Sequence, residues 1–336
     1  MMEGTVLRSI NNIYSVRTDD GKVYSCRIKG KQLSLSKGEY NPIVVGDIVE
    51  ITPSGGTEDK PEALVISRHE RSSAFSRWND KRDMNQTICA NMDLLVCVCS
   101  VESPPFRPRF VDRVIACCRG VQVMIVLNKC DILLTEDELE RYSLYKKLGY
   151  QTVSVSAETG ENVDAFVKLL EGHVAAFVGQ SGVGKSSLIN RILGTSQRVG
   201  ELNAKYNRGN HTTNHAIMLD GPGFTLIDTP GFREISVPHD DPHLVAQAFP
   251  EFAKAAPKCE YDGCLHISEP GCEVRRLLEK GRINADRYES YVRMIASMEE
   301  RLPVWGRNSS RASSPSGSQK GSYNRNRSDL CSDEQL

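Results

Sequence analysis

Phe177 to Ser187 read FVGQSGVGKSS, and this stretch decides the fold. The apolar run Val174 to Val178 before it predicts a buried strand, the glycines a tight loop, and Lys185 to Leu193 an amphipathic helix. Gly179, Gly184, Lys185 and Ser186 fit G-x-x-x-x-G-K-[ST] in the strand, loop, helix context that gives the pattern its meaning. Glycines let the backbone N–H groups of Gln180, Ser181, Gly182, Val183 and Ser187 turn toward an anion, and the helix N-terminus adds partial positive charge. Lys185 can reach β- and γ-phosphates, and the Ser186 hydroxyl can ligate Mg²⁺. A nucleoside triphosphate site is expected.

Upstream, VMIVLNKCD places Asn128, Lys129 and Asp131 as N-K-x-D after an apolar strand. A carboxylate at Asp131 can accept both N1–H and N2–H₂ of guanine; adenine offers no such pair, and an unpaired carboxylate would reject it. Asn128 can hold the loop and the base N7 edge, while the Lys129 stem can lie over the base. Ser156-Ala157 follows the next strand and offers backbone N–H groups toward guanine O6. Downstream, Asp228-Thr229-Pro230-Gly231 gives D-x-x-G after a strand, with Asp228 holding Mg²⁺ through water and the Gly231 N–H meeting the γ-phosphate. No N-K-x-D or T-K-x-D occurs between Gly231 and Leu336. The base motif therefore precedes the phosphate loop, the order of a circularly permuted domain, which is acceptable because the site depends on where strand ends lie.

Around this centre the chain divides. Short β-like runs from Gly4 to about Arg77, with Asp19-Asp20-Gly21-Lys22 as a hairpin turn, predict an OB-fold barrel over residues 1–77. Arg27, Lys29, Lys31 and Lys37 cluster there and would suit nucleic-acid phosphates or a solvated strand face. Glu70 to Asn85 is polar without periodicity and reads as linker, bounded at 78–90. Alternating strands and helices over 91–237 predict a parallel α/β sheet covered on both faces. Val199 to Asn214 reads as a mobile loop, and residues 238–303 as a helical domain with a Cys/His cluster. Within it, Cys259, Cys264, His266 and Cys272 form C-x₄-C-x-H-x₅-C, a complete tetrahedral set for one structural Zn²⁺. Residues 304–336 are rich in Ser, Arg and Asn and are expected to be disordered.

Composition narrows the setting. A formal net charge of -1 confines any nucleic-acid contact to local patches, and 39% hydrophobic with 25% charged residues is ordinary globular content. No apolar run is long enough to span a bilayer and the first residues lack signal-peptide regions, so a cytoplasmic protein without membrane contact is expected. The 11 cysteines give no disulfide framework, since several sit in apolar runs.

Together, the barrel-like start, N-K-x-D before G-x-x-x-x-G-K-S, D-T-P-G and C-x₄-C-x-H-x₅-C resemble the RsgA (YjeQ) family of small-ribosomal-subunit biogenesis GTPases, over roughly Gly4 to Leu302. The resemblance implies an OB-fold, a permuted GTPase and a zinc domain that grip the small subunit and its rRNA late in maturation, with hydrolysis stimulated by the subunit and coupled to release; separately, a monomer is expected. It also places Arg208, Gly209, Asn210, His211, Thr212 and Thr213 in the first switch. Phe232 stands where Ras-like enzymes carry a water-positioning Gln, and His211 is the candidate to replace it. Thr212 or Thr213 would ligate Mg²⁺, and Asn214 departs from the family's third Thr. Two other readings compete: an RNA-binding assembly factor for which GTP and GDP are conformational ligands, and an ATP-dependent transporter or motor domain, which would need a different base site.

Overall fold

The computed structural model describes residues 1–30, 40–194 and 215–299. The expectations for Lys31, Lys37, the loop Val199 to Asn214 with His211, Thr212 and Thr213, and the tail lie outside the described residues.

At the N-terminus, β1 (Met2–Ile10), β2 (Ile13–Thr18), β3 (Val23–Ile28), β4 (Ile48–Thr57) and β5 (Lys60–Arg68) close into a barrel. Pairing runs β1-β2-β3-β5-β4, and β4 returns to β1; only the β3–β5 pair is parallel. Alternation decides which side chains fill it: Val6, Tyr14, Val16, Tyr24, Cys26, Val49, Ile51, Ala63 and Val65 point inward. The Asp19–Lys22 turn forms as expected, with Gly21 at φ +81° and Thr18 accepting from its N–H.

Next come β6 (Ala74–Asn79) and β7 (Met84–Ala90), an antiparallel hairpin extended by the two-residue β9 (Cys118–Arg119). This corrects the linker reading of Glu70 to Asn85. The segment lacks apolar periodicity because polar side chains pair across its strands: Ser76 Oγ meets Thr87 Oγ1 at 3.0 Å, and Asn79 donates to Gln86 at 3.0 Å.

The central sheet follows the expected alternation. Its parallel strands lie in the order β11 (Gln151–Ser154), β10 (Gln122–Asn128), β8 (Leu94–Ser100), β12 (Val174–Gly179) and β14 (Phe224–Asp228). Every residue of β8 is buried, as the middle strand of a sheet covered on both sides requires. Its even positions, Leu94, Val96 and Val98, join the core beneath α3 (Val163–Lys168) and α4 (Lys185–Leu193). The odd ones, Leu95, Cys97 and Cys99, face α1 (Pro108–Ala116) and α2 (Glu136–Lys147). The antiparallel strand β13 (Ile217–Gly221) pairs with β14 and touches β1 at Ile217 and Arg8, so sheet and barrel are continuous. Arg17 of the barrel grips Asp220 beside that seam through two hydrogen bonds, of 2.5 and 3.2 Å.

The helices α5 (Pro242–Gln247), α6 (Pro250–Ala255), α7 (Glu273–Glu279) and α8 (Ala285–Glu299) complete the described chain. Phe249, Phe252, Tyr291 and Met294 share one core with α1 and the sheet. Arg287, 1% exposed, binds Asp112 of α1 and Glu251 of α6 and lies 4.6 Å from the Phe249 ring centroid. Neutralised on both sides, this guanidinium ties the helical module to the sheet domain. Among the described residues no helix is long and apolar enough to cross a membrane.

Candidate nucleotide and metal sites

All four nucleotide motifs sit at the carboxyl ends of parallel strands, where ligands of open α/β sheets bind. After β12 the chain turns through Gln180 to Gly184, and α4 starts at Lys185. Gly184 caps the helix at φ +83°, and a Cβ there would stand 2.4 Å from Asn128 Nδ2. Both facts require glycine.

Asn128 is 1% exposed and joins three motifs. Its Nδ2 donates to the Val183 carbonyl at 2.9 Å, and its Oδ1 accepts the Ala157 N–H at 3.0 Å. Ser156 and Ala157 thus lie beside the base motif, but their N–H groups differ from expectation. The Ser156 N–H turns into its own loop, to Glu161 O at 3.1 Å, because residues 156–161 close a tight turn. Lys129, at φ +63°, sends Nζ to the carbonyls of Glu102 and Ser103, at 2.8 and 2.9 Å. Those two residues, on the loop after β8, went unrecognised in the sequence; their position at a strand end between the phosphate-loop and base-motif strands was the available signal. Asp131 is exposed on the loop beyond β10.

Lys185 is 7% exposed and pairs with fully buried Asp228, while its Nζ also donates to Thr229 O at 2.5 Å. Burial pushes the Asp228 carboxyl up, and the Lys185 charge and hydrogen bond pull it back. Asp228 Oδ2 is buried with no hydrogen-bond partner among the described residues, and Ser186 stands exposed on the first turn of α4. An anionic oxygen lacking a donor, on a carboxylate paired with the phosphate-loop lysine, suits Mg²⁺ or its water. The chain after Asp228 is fastened to the phosphate loop: Phe232 N–H donates to Gly179 O at 3.0 Å and its carbonyl accepts Ser181 N–H at 3.1 Å. The Phe232 ring is buried, edge-on to Phe75 at 6.0 Å, with the Arg77 guanidinium 5.4 Å from its centroid.

Farther along, the ligand atoms of Cys259, Cys264, His266 and Cys272 all lie within 4.8 Å of one another. His266 Nδ1 is 3.7 Å from Cys259 Sγ and 3.5 Å from Cys272 Sγ. Tetrahedral zinc with ordinary bond lengths separates sulfur from nitrogen by about 3.6 Å, so the spacing fits. Burial pushes the Cys264 thiol up to about 12, and a cation is what makes clustered thiolates tolerable. Glu269, unforeseen from sequence, accepts the N–H groups of Leu265, Ile267 and Ser268 and shapes the turn. Tyr288 and Tyr291 donate to the carbonyls of His266 and Leu265, at 2.7 and 2.6 Å.

A barrel, a phosphate-loop GTPase domain whose base-reading strand comes before its phosphate loop, and a Cys/His module define a circularly permuted GTPase. Two family models match, the RsgA GTPase over residues 68–238 and the RsgA N-terminal domain over residues 3–59. The chain is 38% identical to the small ribosomal subunit biogenesis GTPase RsgA 2 of Bacteroides thetaiotaomicron over 89% of its own length and 98% of that protein. Against the small ribosomal subunit biogenesis GTPase RsgA of Chlorobaculum parvum the identity is 36%, with 89% and 99% covered. Its fold resembles that of YloQ, a circularly permuted GTPase (TM-score 0.64, 23% identity, 90% and 96% covered), and of YjeQ from Thermotoga maritima (0.64, 26%, 88% and 98%). The chain belongs to the RsgA family and is a GTP-hydrolysing enzyme.

Proposed function

We propose that this GTPase acts on the small ribosomal subunit late in its maturation, hydrolyses GTP faster when bound there, and leaves once the γ-phosphate is gone. The reading rests on the convergence of the base and phosphate motifs on Asn128 and on the names of the relatives. Asp131 reads the guanine edge, and the phosphate-loop N–H groups cradle the phosphates. Lys185 exchanges Asp228 for phosphate oxygens; Ser186, a first-switch threonine, Thr212 or Thr213, and, through water, Asp228 would hold Mg²⁺, which would supply charge neutralisation for the transferring phosphoryl group. Phe232 cannot orient water from its buried position, which leaves that role to His211. Exposed Arg27 and Lys29 supply charge for rRNA phosphates, and Zn²⁺ on the Cys/His set holds the C-terminal module together. The protein works as a cytoplasmic monomer.

Co-sedimentation with purified small subunits tests this: binding is expected with a non-hydrolysable GTP analogue and reduced with GDP, alongside faster single-turnover hydrolysis when subunits are present. Binding that ignores the nucleotide, or none at all, removes the ribosome from the account.

A further inference from the structure

We propose that Arg191 is a positioning residue for guanine recognition, holding the Ser156–Glu161 loop at a fixed distance from the phosphate loop. The argument rests on the reading that guanine lies beside Asp131 and Ala157. Arg191 occupies the last turn of α4, the helix whose first residue is Lys185. Its Nη1 donates to Glu158 O at 3.3 Å and its Nη2 to Thr159 O at 3.1 Å, the two carbonyls that follow Ala157. A planar guanidinium can engage both at once, and a cation is favourable at a helix C-terminus.

The loop that it grips is a closed unit. Thr159 N–H donates to Ser156 Oγ at 3.1 Å, Gly160 N–H to Ser156 O at 2.9 Å, and Ser156 N–H to Glu161 O at 3.1 Å. Holding Glu158 and Thr159 therefore holds Ala157. Room for the guanidinium is made at Gly160, which sits at φ +88° and where a Cβ would come within 2.3 Å of Arg191 Nη2. Asn128 holds the same loop from its other side through the Ala157 N–H. One helix thus grips phosphates at its start and the base-edge loop at its end, with a rise of about 9 Å from Lys185 to Arg191 set by helix geometry.

Arg191→Met keeps helix propensity and removes the donors. Nucleotide titrations of the full chain should show GTP affinity lower by about fivefold. Affinity for ATP, whose base lacks the N1–H and 2-amino group of the guanine edge, should not change, nor should the melting temperature. Equal loss for both nucleotides, or no loss for GTP, overturns the positioning role. Wild-type protein that binds GTP and ATP alike would instead deny the guanine reading on which the role rests, so the two failures are distinguishable.

Discussion

Asn128 Nδ2 lies 2.9 Å from the Val183 carbonyl, although the two residues are 55 positions apart. The bond, buried and paired with the Ala157 contact, joins the base motif to the phosphate loop. Asn128→Ala would leave one buried acceptor and one N–H without partners. A stability loss of about 2–4 kcal/mol is expected in chemical denaturation, with weaker binding of both GTP and GDP. Wild-type stability would show that the loops are held by other contacts.

Lys185 and Asp228 make a pH-dependent prediction. Burial raises the Asp228 carboxyl and Lys185 lowers it, so Lys185→Ala lets its folded-state pKa climb farther above the unfolded value. The folded state then binds the extra proton, and its stability falls as pH rises from about 4 through the raised pKa. Denaturation at pH 4.5 and pH 8 should show the variant's deficit larger at pH 8, together with lost GTP binding. A deficit independent of pH would contradict the assignment.

Phe232 is packed against Phe75 and the backbone of the phosphate loop. Restoring the glutamine of Ras-like enzymes would place an amide in that apolar contact rather than near a water. Phe232→Gln should cost about 2–4 kcal/mol of stability and leave intrinsic GTP turnover unchanged or lower. Faster turnover would show that the position faces the reacting water.

The Cys/His set should hold one zinc per chain by elemental analysis, and chelation should unfold the C-terminal helices, seen as a loss of helical circular dichroism. Metal content well below one per chain, with no loss of structure on chelation, would contradict a structural zinc.

What was legible in the sequence has a physical pattern. Strands buried on both faces, such as β8 and β12, are uninterrupted apolar runs, and glycines fixed by backbone geometry mark the phosphate loop; both show in the residue order. The β6–β7 hairpin does not, because its pairing is carried by Ser76, Thr87, Asn79 and Gln86 across strands rather than by periodic burial. Equally hidden were contacts made only by folding: Lys129 with the Glu102 and Ser103 carbonyls, Glu269 under the zinc turn, and Arg287 between Asp112 and Glu251. Arg77 stood at the end of the expected barrel and Trp78 at the start of the expected linker, yet the Arg77 guanidinium lies over the Phe232 ring and Trp78 pairs with Ser236, along the segment leading from Asp228 into the helical module.

The central claim is that Asp131 and Lys185 address opposite ends of one guanine nucleotide, and competitive titration of GTP against ATP in wild-type and Asp131→Asn protein tests it. The account predicts a strong wild-type preference for GTP that drops at least tenfold in the variant through weaker GTP binding. An undiminished preference for GTP in Asp131→Asn would contradict it.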